Sequence, residues 1–431
     1  MMRRFVYFAL LTPMALAIAW LLSPLAPKLR ASFRQRRGVW RRFHAALTRR
    51  EPARPLVWFH VASAGEFLQA EPLLRRFRDA GWQLAVTLAS VSGQRWVQRI
   101  ASWPELVWAD LLQWDVWGAA HRLYGGLSPR LVVYLQADLW PGLVWQGSDR
   151  EIAQALVAGR LAAHSAKLRR GVQGRFARDL YGRMDLILAA TEADRVQLAK
   201  LVSPHASRRK GGDPGIETVL LRVREAQDAP LPAAFARNLV IVCGSTWPAD
   251  EVHLLPALHG ALTTVPAARV VLAPHEPTEA RLRELEAALD RFGVARLSTV
   301  ETGLNPGTPE PRIILVDGVG QLAGLYRMGK LAYVGGAFST GVHNVAEPAA
   351  AGLPVLFGPR HGNSPVAADL LADGCAVAVE NAAALDSALL GLLDDPERCA
   401  RLGAQARALI VARAGAAQRN FDALTALVPQ L

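Results

Sequence analysis

A glycine-rich segment in the C-terminal half of the chain carries the residue types expected of a nucleotide site. A strand-like run leads into it, and its small and polar residues include Gly335, Gly336, Gly341, His343 and Asn344. Glycine lets a backbone approach a ligand closely, and a helix predicted to start near Asn344 would direct its positive end at a phosphate. Glu347, one turn into that helix, has carboxylate oxygens suited to the two hydroxyls of a ribose. This pattern predicts a nucleotide-binding loop.

Two further groups follow strand-like runs in the same half. Ser245 and Thr246 end the first run, where hydroxyls and backbone N–H groups can bind phosphate. A helix cap without a ligand is the alternative. No Gly-Lys-Ser/Thr follows them, which argues against a Walker-type ATPase. His275 stands in a turn after the next run and fits either a structural or a donor-binding role.

In the N-terminal half, Ser63, Gly65 and Glu66 follow a strand-like run and open a helix. Ser63 and Glu66 have the spacing of a capping box, in which each side chain bonds the backbone of the other residue. The alternative is that Glu66 faces a ligand and acts as a general base on an acceptor hydroxyl. The spacing alone leaves both interpretations open.

Asp138 is a second carboxylate at the end of a strand-like run, in the stretch Asp138-Leu139-Trp140-Pro141. It fits a turn cap. It also fits a site residue that orients an acceptor sugar or supports Glu66.

Short apolar runs alternate with amphipathic stretches along two parts of the chain, which predicts parallel sheets covered by helices on both faces. Predicted strands are Leu56–Val61, Leu84–Leu88, Leu131–Leu135, Leu186–Ala190, Leu239–Cys243, Arg269–Ala273, Ile313–Val316, Leu331–Val334 and Val355–Phe357, and Phe67–Arg78 is a predicted helix. Ligands of such sheets lie beyond the carboxyl ends of the strands, where all the candidates above stand. The predicted divisions are a membrane anchor and basic flank at 1–50, an N-terminal domain at 51–215, a linker at 216–236 and a C-terminal domain at 237–431.

The net charge of +12 is concentrated at the N-terminus. The first 50 residues hold eleven Lys or Arg and no acidic residue, leaving 38 basic against 37 acidic residues in the remainder. A nucleic-acid-binding protein would carry its basic patch on the folded domains, so no nucleic-acid partner is expected.

The uncharged run from Phe5 to Pro27 is about long enough to cross a bilayer core. With the basic flank that follows, this run predicts a retained anchor at an anionic membrane surface, with the folded domains in the cytoplasm. A cleaved signal peptide is the alternative. Pro13 also leaves open a kinked helix that lies in the membrane interface instead of spanning it. The three cysteines form no CxxC pair, which fits a reducing compartment.

Taken together, these motifs resemble those of the bacterial 3-deoxy-D-manno-octulosonate (Kdo) transferases. His343-Asn344 with Glu347-Pro348 resembles a Gly-Gly-His-Asn element followed by Glu-Pro-Ala, and Ser63-Ala64-Gly65-Glu66 resembles a Ser-Val-Gly-Glu element. Asp138-Leu139-Trp140-Pro141 resembles a Glu-Leu-Trp-Pro element. Further likenesses are Gly159-Arg160-Leu161, Gly244-Ser245-Thr246 and Pro274-His275. The resemblance covers nearly the whole chain, and its motifs occur in order.

The resemblance implies a GT-B fold, with two doubly wound Rossmann-like domains facing a cleft and an N-terminal membrane anchor helix. It implies CMP-Kdo as donor and a lipid A precursor as acceptor, joined by inverting displacement at the cytoplasmic face of the inner membrane. Glu66 would be the base, assisted by Asp138. Donor-binding residues would be Ser245, Thr246, His275, Gly335, Gly336, Gly341, His343, Asn344 and Glu347; acceptor-binding residues would be Ser63, Gly65 and Arg160. No cofactor or metal is expected, since no Asp-x-Asp motif is apparent.

Four positions depart from the family pattern. Val342 replaces a glycine, Asp138 replaces a glutamate, and Glu276 and Ser364 lie in two further altered elements. Other GT-B enzymes that use UDP-sugars, such as a lipid-linked GlcNAc transferase or an epimerase, remain alternatives, as does a non-catalytic membrane-bound relative. The number of Kdo units transferred and the oligomeric state are left open.

Overall fold

The computed structural model describes residues 2–202, 207–226, 231–302 and 310–428. The chain divides into two compact units. The first comprises Met1–Thr218 and the segment from Ala414 onward, and the second comprises Val219–Arg413.

The first unit begins with helices that precede its sheet. They are α1 (Met2–Val6), α2 (Thr12–Leu22), α3 (Pro27–Arg36) and α4 (Val39–Ala46). A π-helical turn, Tyr7–Leu11, joins α1 to α2, and in it the N–H of Thr12 bonds the carbonyl of Tyr7. Pro13 follows directly and has no N–H to donate, which accounts for the widened turn. By length and composition, Met2–Leu22 could cross a membrane.

A parallel sheet forms the core of the first unit, in the order β3-β2-β1-β4-β5-β6-β7. Its strands are β1 (Leu56–Val61), β2 (Gln83–Leu88), β3 (Leu106–Leu111), β4 (Leu131–Leu135), β5 (Ala153–Gly159), β6 (Leu186–Ala189) and β7 (Ser207–Lys210). Its helices are α5 (Ala64–Asp79), α6 (Gln94–Val97), α7 (Ala119–Leu127), α8 (Pro141–Asp149), α9 (Val172–Tyr181) and α10 (Glu192–Leu198). Central β1 pairs with β2 and β4, and all its residues are buried. Its carboxyl end therefore places Ser63 and Glu66 beside the end of β4, which leads to Asp138.

The second unit repeats this architecture, with strand order β10-β11-β9-β8-β12-β13-β14. Its strands are β8 (Leu239–Thr246), β9 (Ala268–Pro274), β10 (Val294–Arg296), β11 (Ile313–Leu315), β12 (Leu331–Val334), β13 (Val355–Phe357) and β14 (Ala376–Ala378). Its helices are α12 (Ala233–Arg237), α13 (Pro248–Thr264), α14 (Glu279–Leu289), α15 (Leu297–Thr302), α16 (Leu322–Met328), α17 (Ala346–Ala350), α18 (Pro365–Ala372), α19 (Ala382–Leu393) and α20 (Pro396–Ala412). Neighbouring β8 and β12 bring the Ser245 turn beside the glycine-rich loop.

The predicted linker at 216–236 is largely helical where the structure describes it. Helix α11 (Gly215–Glu225) crosses the division between the units, and its apolar residues Ile216, Val219 and Val223 are buried at helical spacing. The prolines and glycines around it obscured this amphipathic pattern. Positions 227–230 of the predicted linker lie outside the described residues.

The predicted C-terminal domain runs from residue 237 to residue 431, but the segment from Ala414 onward belongs to the first unit. Helix α21 (Ala416–Thr425) belongs to the first unit, where Phe421 packs edge-on against Phe77 at 4.9 Å and Leu424 is buried. The unit to which such a helix belongs depends on the core against which its apolar face packs. Sequence periodicity predicts the helix but not that core.

Five strands escaped the sequence prediction: β3, β5, β7, β10 and β14. The three in the first unit did so for identifiable reasons. β5 is rich in alanine and glycine, which have low strand propensity. β7 reads Ser-Arg-Arg-Lys and lies at the edge of its sheet, where polar residues are tolerated. β3 contains Asp110 within its apolar run, and that carboxylate is paired with Arg42.

Candidate active site

The predicted capping box at the start of α5 forms only in part, because the Glu66 side chain bonds the backbone of Ala62 instead of that of Ser63. Ser63 caps α5 by accepting a hydrogen bond from the N–H of Glu66 at 3.4 Å, and Oε2 of Glu66 accepts one from the N–H of Ala62 at 2.6 Å. The Glu66 side chain is only 8% exposed. Burial raises the pKa of Glu66 to about 7; the Ala62 N–H opposes this rise and the negative charge of Asp138 adds to it. Glu66 is therefore held in a fixed orientation with a pKa suited to proton transfer near neutrality.

Asp138 lies beyond the end of β4 and remains ionised. Its Oδ2 accepts a hydrogen bond from Nε1 of Trp140 at 3.1 Å and lies 3.4 Å from Nε2 of His60. Burial acts to raise the pKa of Asp138, but His60, Trp140 and Lys167 together outweigh it and lower that pKa. The two carboxylates thus have opposite pKa shifts, an arrangement typical of sites that assign them different tasks.

His60 is a site component that the sequence analysis did not single out. It lies inside β1 and is fully buried, and its Nδ1 is 2.9 Å from the hydroxyl of Thr87. That hydroxyl oxygen also accepts a bond from Nε1 of Trp58 at 2.9 Å. The Thr87 proton is therefore available to Nδ1, which leaves Nε2 as the protonated nitrogen facing Asp138. A histidine placed six residues before Glu66 is the signal that could have found it.

Arg160 lies in a polar network of the first unit. Its Nη2 is 3.2 Å from Oδ2 of Asp213, which also accepts a bond from Nε2 of Gln69 at 2.9 Å. Gln69 is one turn after Glu66 on α5, and Gln136 donates to it at 2.7 Å. Asp213 and Gln69 were not anticipated; they fix the Arg160 guanidinium near the start of α5. A Cβ on Gly65 would meet Ser63 Oγ at 3.8 Å, so open space remains there.

In the second unit, the end of β8 is a strained turn against which the glycine-rich loop packs. Ser245 has a positive φ of 55°, an uncommon conformation for a residue with a side chain. A Cβ on Gly335 would overlap the carbonyl oxygen of Ser245, so only glycine allows this approach. Thr246 is buried, and its hydroxyl donates to Glu251 at 2.7 Å. Its side chain thus holds the turn together.

Asp250 stabilises the glycine-rich loop from beneath, a role that the sequence analysis missed. It is fully buried near the start of α13, and its Oδ2 accepts bonds from the N–H groups of Gly336 and Trp247 at 2.8 and 2.9 Å. Its Oδ1 accepts one from the hydroxyl of Tyr333 at 3.2 Å. One carboxylate therefore connects the Ser245 turn, β12 and the loop. Gly336 has a positive φ of 94°, and a Cβ there would clash with the carbonyl of Gly341.

Val342, which stands where the family pattern has a glycine, is buried in the interior of the second unit. Val342 is 3% exposed, its N–H donates to the carbonyl of Arg360, and Nδ2 of Asn363 donates to its carbonyl at 2.9 Å. Neighbouring Gly341 has a φ of 134° and lies against Asn363. The valine therefore serves as a core residue that fixes the end of the loop.

Three aromatic rings stack beside that loop: Trp247, His275 and His343. The His275 ring lies 4.6 Å from Trp247 and 4.5 Å from His343, with interplanar angles of 21° and 17°. Nε1 of Trp247 donates to Nε2 of His343 at 2.6 Å. Burial and the neighbouring His275 lower the pKa of His343, against the opposing charge of Asp250. His343 is therefore held as a neutral ring at pH 7.

Glu347 is buried in α17 and forms an ion pair with Arg222 of α11. Burial raises the pKa of Glu347, and Arg222 opposes that rise. Asn344 is exposed and caps the turn before α17 by accepting the N–H of Ala346 at 3.0 Å. That helix is a short one, Ala346–Ala350, and begins two residues after the predicted start. Arg222 is a further residue that sequence reasoning missed.

Each unit thus gathers its own predicted residues at the carboxyl ends of its strands. Glu66, Asp138 and Arg160 lie in the first unit, and the Ser245 turn and glycine-rich loop lie in the second. Within residues 2–202, 207–226, 231–302 and 310–428, no group of three or more His, Cys, Asp or Glu side chains is placed to hold a metal ion. The first unit offers a carboxylate suited to act as a base, and the second offers a glycine-rich loop beside the neutral His343 ring.

Comparison with known proteins relates these features to one family. A family model described as 3-deoxy-D-manno-octulosonic-acid transferase (kdotransferase) matches residues 31–213. A 3-deoxy-D-manno-octulosonic acid transferase of Bordetella pertussis is 30% identical over 406 residues, covering 90% of this chain and 92% of that protein. The chain belongs to the Kdo transferase family. The Haemophilus influenzae protein of the same name is 27% identical over 439 residues and covers 98% of both chains.

Membership of the Kdo transferases makes this chain a glycosyltransferase, as the motifs predicted. The fold expectation of two parallel-sheet α/β domains is also confirmed. A solved structure of a putative UDP-N-acetylglucosamine 2-epimerase from Listeria monocytogenes matches with a TM-score of 0.63 at 14% identity, over 87% of this chain and 97% of that one. At that identity the likeness concerns the fold. The Glu66 and Asp138 pair therefore belongs to the first α/β unit of a Kdo transferase.

Proposed function

We propose that this Kdo transferase moves Kdo from CMP-Kdo to a lipid A precursor, with Glu66 as the general base. The observation that carries the proposal is the environment of Glu66. Its carboxylate is fixed by the Ala62 N–H, and burial brings its pKa to about 7. The donor follows from the family, whose named members are Kdo transferases.

The reaction is a direct displacement with inversion. The acceptor hydroxyl oxygen attacks the anomeric carbon of Kdo while the bond from that carbon to the CMP phosphate oxygen breaks, and CMP leaves with the electron pair. Glu66 takes the hydroxyl proton. Asp138, held ionised by His60 and Trp140, orients the acceptor and keeps the pKa of Glu66 raised. No metal ion or cofactor is used in this scheme.

The second unit binds the nucleotide donor. The donor phosphate is placed against the loop from Gly335 to Gly341, whose backbone dipoles are fixed by Asp250 and by internal bonds such as that from the Gly341 N–H to the Gly336 carbonyl. Stabilising a leaving phosphate by such fixed dipoles contributes on the order of several kcal/mol. Asn344, Ser245 and the stacked His275 and His343 contact the donor. Glu347 binds the ribose with Arg222 holding its carboxylate.

The first unit binds the acceptor. Ser63, Gly65 and Arg160 lie around the start of α5, and Asp213 fixes the Arg160 guanidinium for contact with a phosphorylated sugar. The apolar stretch Met2–Leu22 and the basic residues that follow bring this unit to an anionic membrane. We place the domains on the cytoplasmic face of the inner membrane, where the basic flank is retained.

The test is transfer of Kdo from CMP-Kdo, generated in the reaction, to a tetra-acylated lipid A precursor in detergent. Wild type should increase the acceptor mass by one or more Kdo units, and Glu66→Gln should reduce the rate by about a hundredfold or more. Asp79→Asn, an exposed position at the end of the same helix, is the matched control and should retain wild-type rate. An unchanged rate in Glu66→Gln would reject the base.

The donor is tested separately by calorimetry with CMP and UDP. Tighter binding of CMP supports the proposed donor. Preference for UDP would favour another GT-B enzyme that uses a UDP-sugar. Binding of CMP without transfer would retain the donor and reject the acceptor.

A further inference from the structure

The residues before the first sheet form a helical hairpin whose two ends are both held by the first unit. We call α2, the turn Ser23–Ala26 and α3 the N-terminal hairpin. The helices contact each other, and the turn is closed by hydrogen bonds from Leu25 to Leu22 and from Ala26 to Ser23.

The outgoing end of the hairpin is fixed through the residues that precede α2. Arg4 forms a two-point ion pair with Asp149, with 2.9 Å between Nη2 and Oδ1. The hydroxyl of Tyr7 donates to Oδ2 of Asp115 at 2.9 Å, and the Tyr7 and Phe8 rings pack edge-on against Trp145 at 5.4 and 5.8 Å. These contacts hold the start of the helical stretch Met2–Leu22 on the globular unit.

The returning end is fixed by α3. Arg36 is buried, its Nε donates to the carbonyl of Leu112 at 2.8 Å and its Nη2 to that of Ala89 at 2.6 Å. Phe33 packs against Trp114 at 5.0 Å, and the Arg36 guanidinium lies 4.2 Å from the same ring. The chain therefore leaves the first unit after Phe8 and rejoins it by Phe33.

The two helices of the hairpin present different surfaces. Thr12, Leu16 and Ala19 of α2 are half-buried at helical spacing. The exposed apolar residues of and around α2 are Leu10, Leu11, Met14, Ile18, Trp20, Leu21, Leu22 and Leu25. The exposed basic residues of α3 are Lys28, Arg30 and Arg34. An apolar helix beside a basic one suits the boundary between acyl chains and anionic headgroups.

We infer that the N-terminal hairpin is a monotopic membrane anchor, which enters one leaflet of an anionic bilayer and returns to the same side without crossing. This inference rests on the proposed membrane association. The eleven residues of α2 extend about 16 Å, whereas crossing the hydrocarbon core requires about 30 Å. Use of all of Met2–Leu22 as a span would break the Arg4 and Tyr7 contacts. Residue 2 consequently stays on the side of the globular units.

The experiment uses the full chain in bacterial inner membranes and a membrane-impermeant maleimide. The native cysteines Cys243, Cys375 and Cys399 are buried, so an introduced cysteine is the labelled site. Met2→Cys is the reporter, because Met2 is 81% exposed. Val172→Cys on the first unit, 77% exposed, is the control for the side on which the domains lie.

In sealed inverted vesicles and in spheroplasts, both cysteines should react from the same face and to the same extent. Reaction of Met2→Cys from the opposite face, or only after detergent is added, would overturn the monotopic arrangement. Recovery of the protein in the soluble fraction would overturn both the membrane association and the monotopic arrangement. Neither outcome depends on transferase activity, so failure of the proposed reaction is distinguished from failure of this inference.

Discussion

Nε1 of Trp247 donates a hydrogen bond to Nε2 of His343 at 2.6 Å. An indole nitrogen is only a donor, so Nε2 of His343 must accept and the ring proton must reside on Nδ1. The Trp247 ring also stacks on His275, which stacks in turn on His343. Trp247 thus selects the tautomer of a histidine at the proposed donor site, which burial and His275 keep neutral by lowering its pKa.

Trp247→Phe keeps the aromatic ring and removes this donor, so the pKa of His343 should rise toward its ordinary value. The bond is worth about 1 kcal/mol, and CMP affinity should fall about fivefold as the ring loses its orientation. The measurement is ¹⁵N NMR titration of the histidine rings, with the His343 signal assigned through His343→Gln. Identical titration in wild type and Trp247→Phe would contradict the assigned tautomer. Trp117→Phe, at an exposed tryptophan of the first unit, is the control.

Asp138→Asn should move the pH dependence of transfer to lower pH. The base must be deprotonated, so the wild-type rate should increase as the pH rises through about 7, the pKa of Glu66. The negative charge of Asp138 contributes to raising that pKa, and its removal lowers it. The check is the pH profile of kcat/KM for the acceptor. A midpoint that stays in place while the rate falls would assign Asp138 to acceptor orientation alone.

Glu66→Gln should stabilise the protein at alkaline pH while it removes activity. The pKa of Glu66 is raised in the folded protein, so its contribution to stability is complete below its unfolded pKa and is lost as the pH rises through about 7. Glutamine stays neutral, and the gain at about pH 8 relative to about pH 4 is up to ~3 kcal/mol. Thermal unfolding at both pH values measures it; an equal difference at both would refute the pKa shift.

Gly335→Ala should unfold at lower temperature and weaken CMP binding. The new Cβ would overlap the carbonyl oxygen of Ser245, and one backbone segment must move, at a cost of about 1–3 kcal/mol. Gly362→Ala is the matched control, since a Cβ there meets nothing within 4 Å. A melting temperature for Gly335→Ala equal to that of the control would show that the loop does not depend on this close approach.

Glu347→Ala should weaken CMP binding sharply, and Arg222→Ala should mainly destabilise the second unit. Removal of Arg222 leaves the buried Glu347 carboxylate without its ion-pair partner, at a cost of about 3–5 kcal/mol. Arg222→Ala with Glu347→Gln should recover much of that stability, because the uncompensated charge is gone. Denaturant unfolding and CMP calorimetry on all three variants test the two roles. Unchanged CMP affinity in Glu347→Ala would reject the ribose contact.

Much of the fold was predictable because strands and helices follow local patterns. The predicted strands Leu56–Val61, Leu131–Leu135, Leu331–Val334 and Val355–Phe357 match the structure residue for residue. Buried parallel strands read as short apolar runs, and this local signal survives folding. The polar edge strand Ser207–Lys210 lacks such a plain signal and escapes prediction. The helix Gly215–Glu225 lies almost entirely within the predicted linker at 216–236 for the same reason.

The sequence by itself determined the two α/β units, the family resemblance and the positions of Glu66, Asp138 and the glycine-rich loop. Those features depend on local periodicity and on the order of motifs along the chain. Only the tertiary structure decided the partners: His60 for Asp138, Asp250 for Gly336 and Arg222 for Glu347. These pairs are between 78 and 125 residues apart in sequence. Their pKa values and orientations arise from burial and contact, which exist only after the strands have aligned.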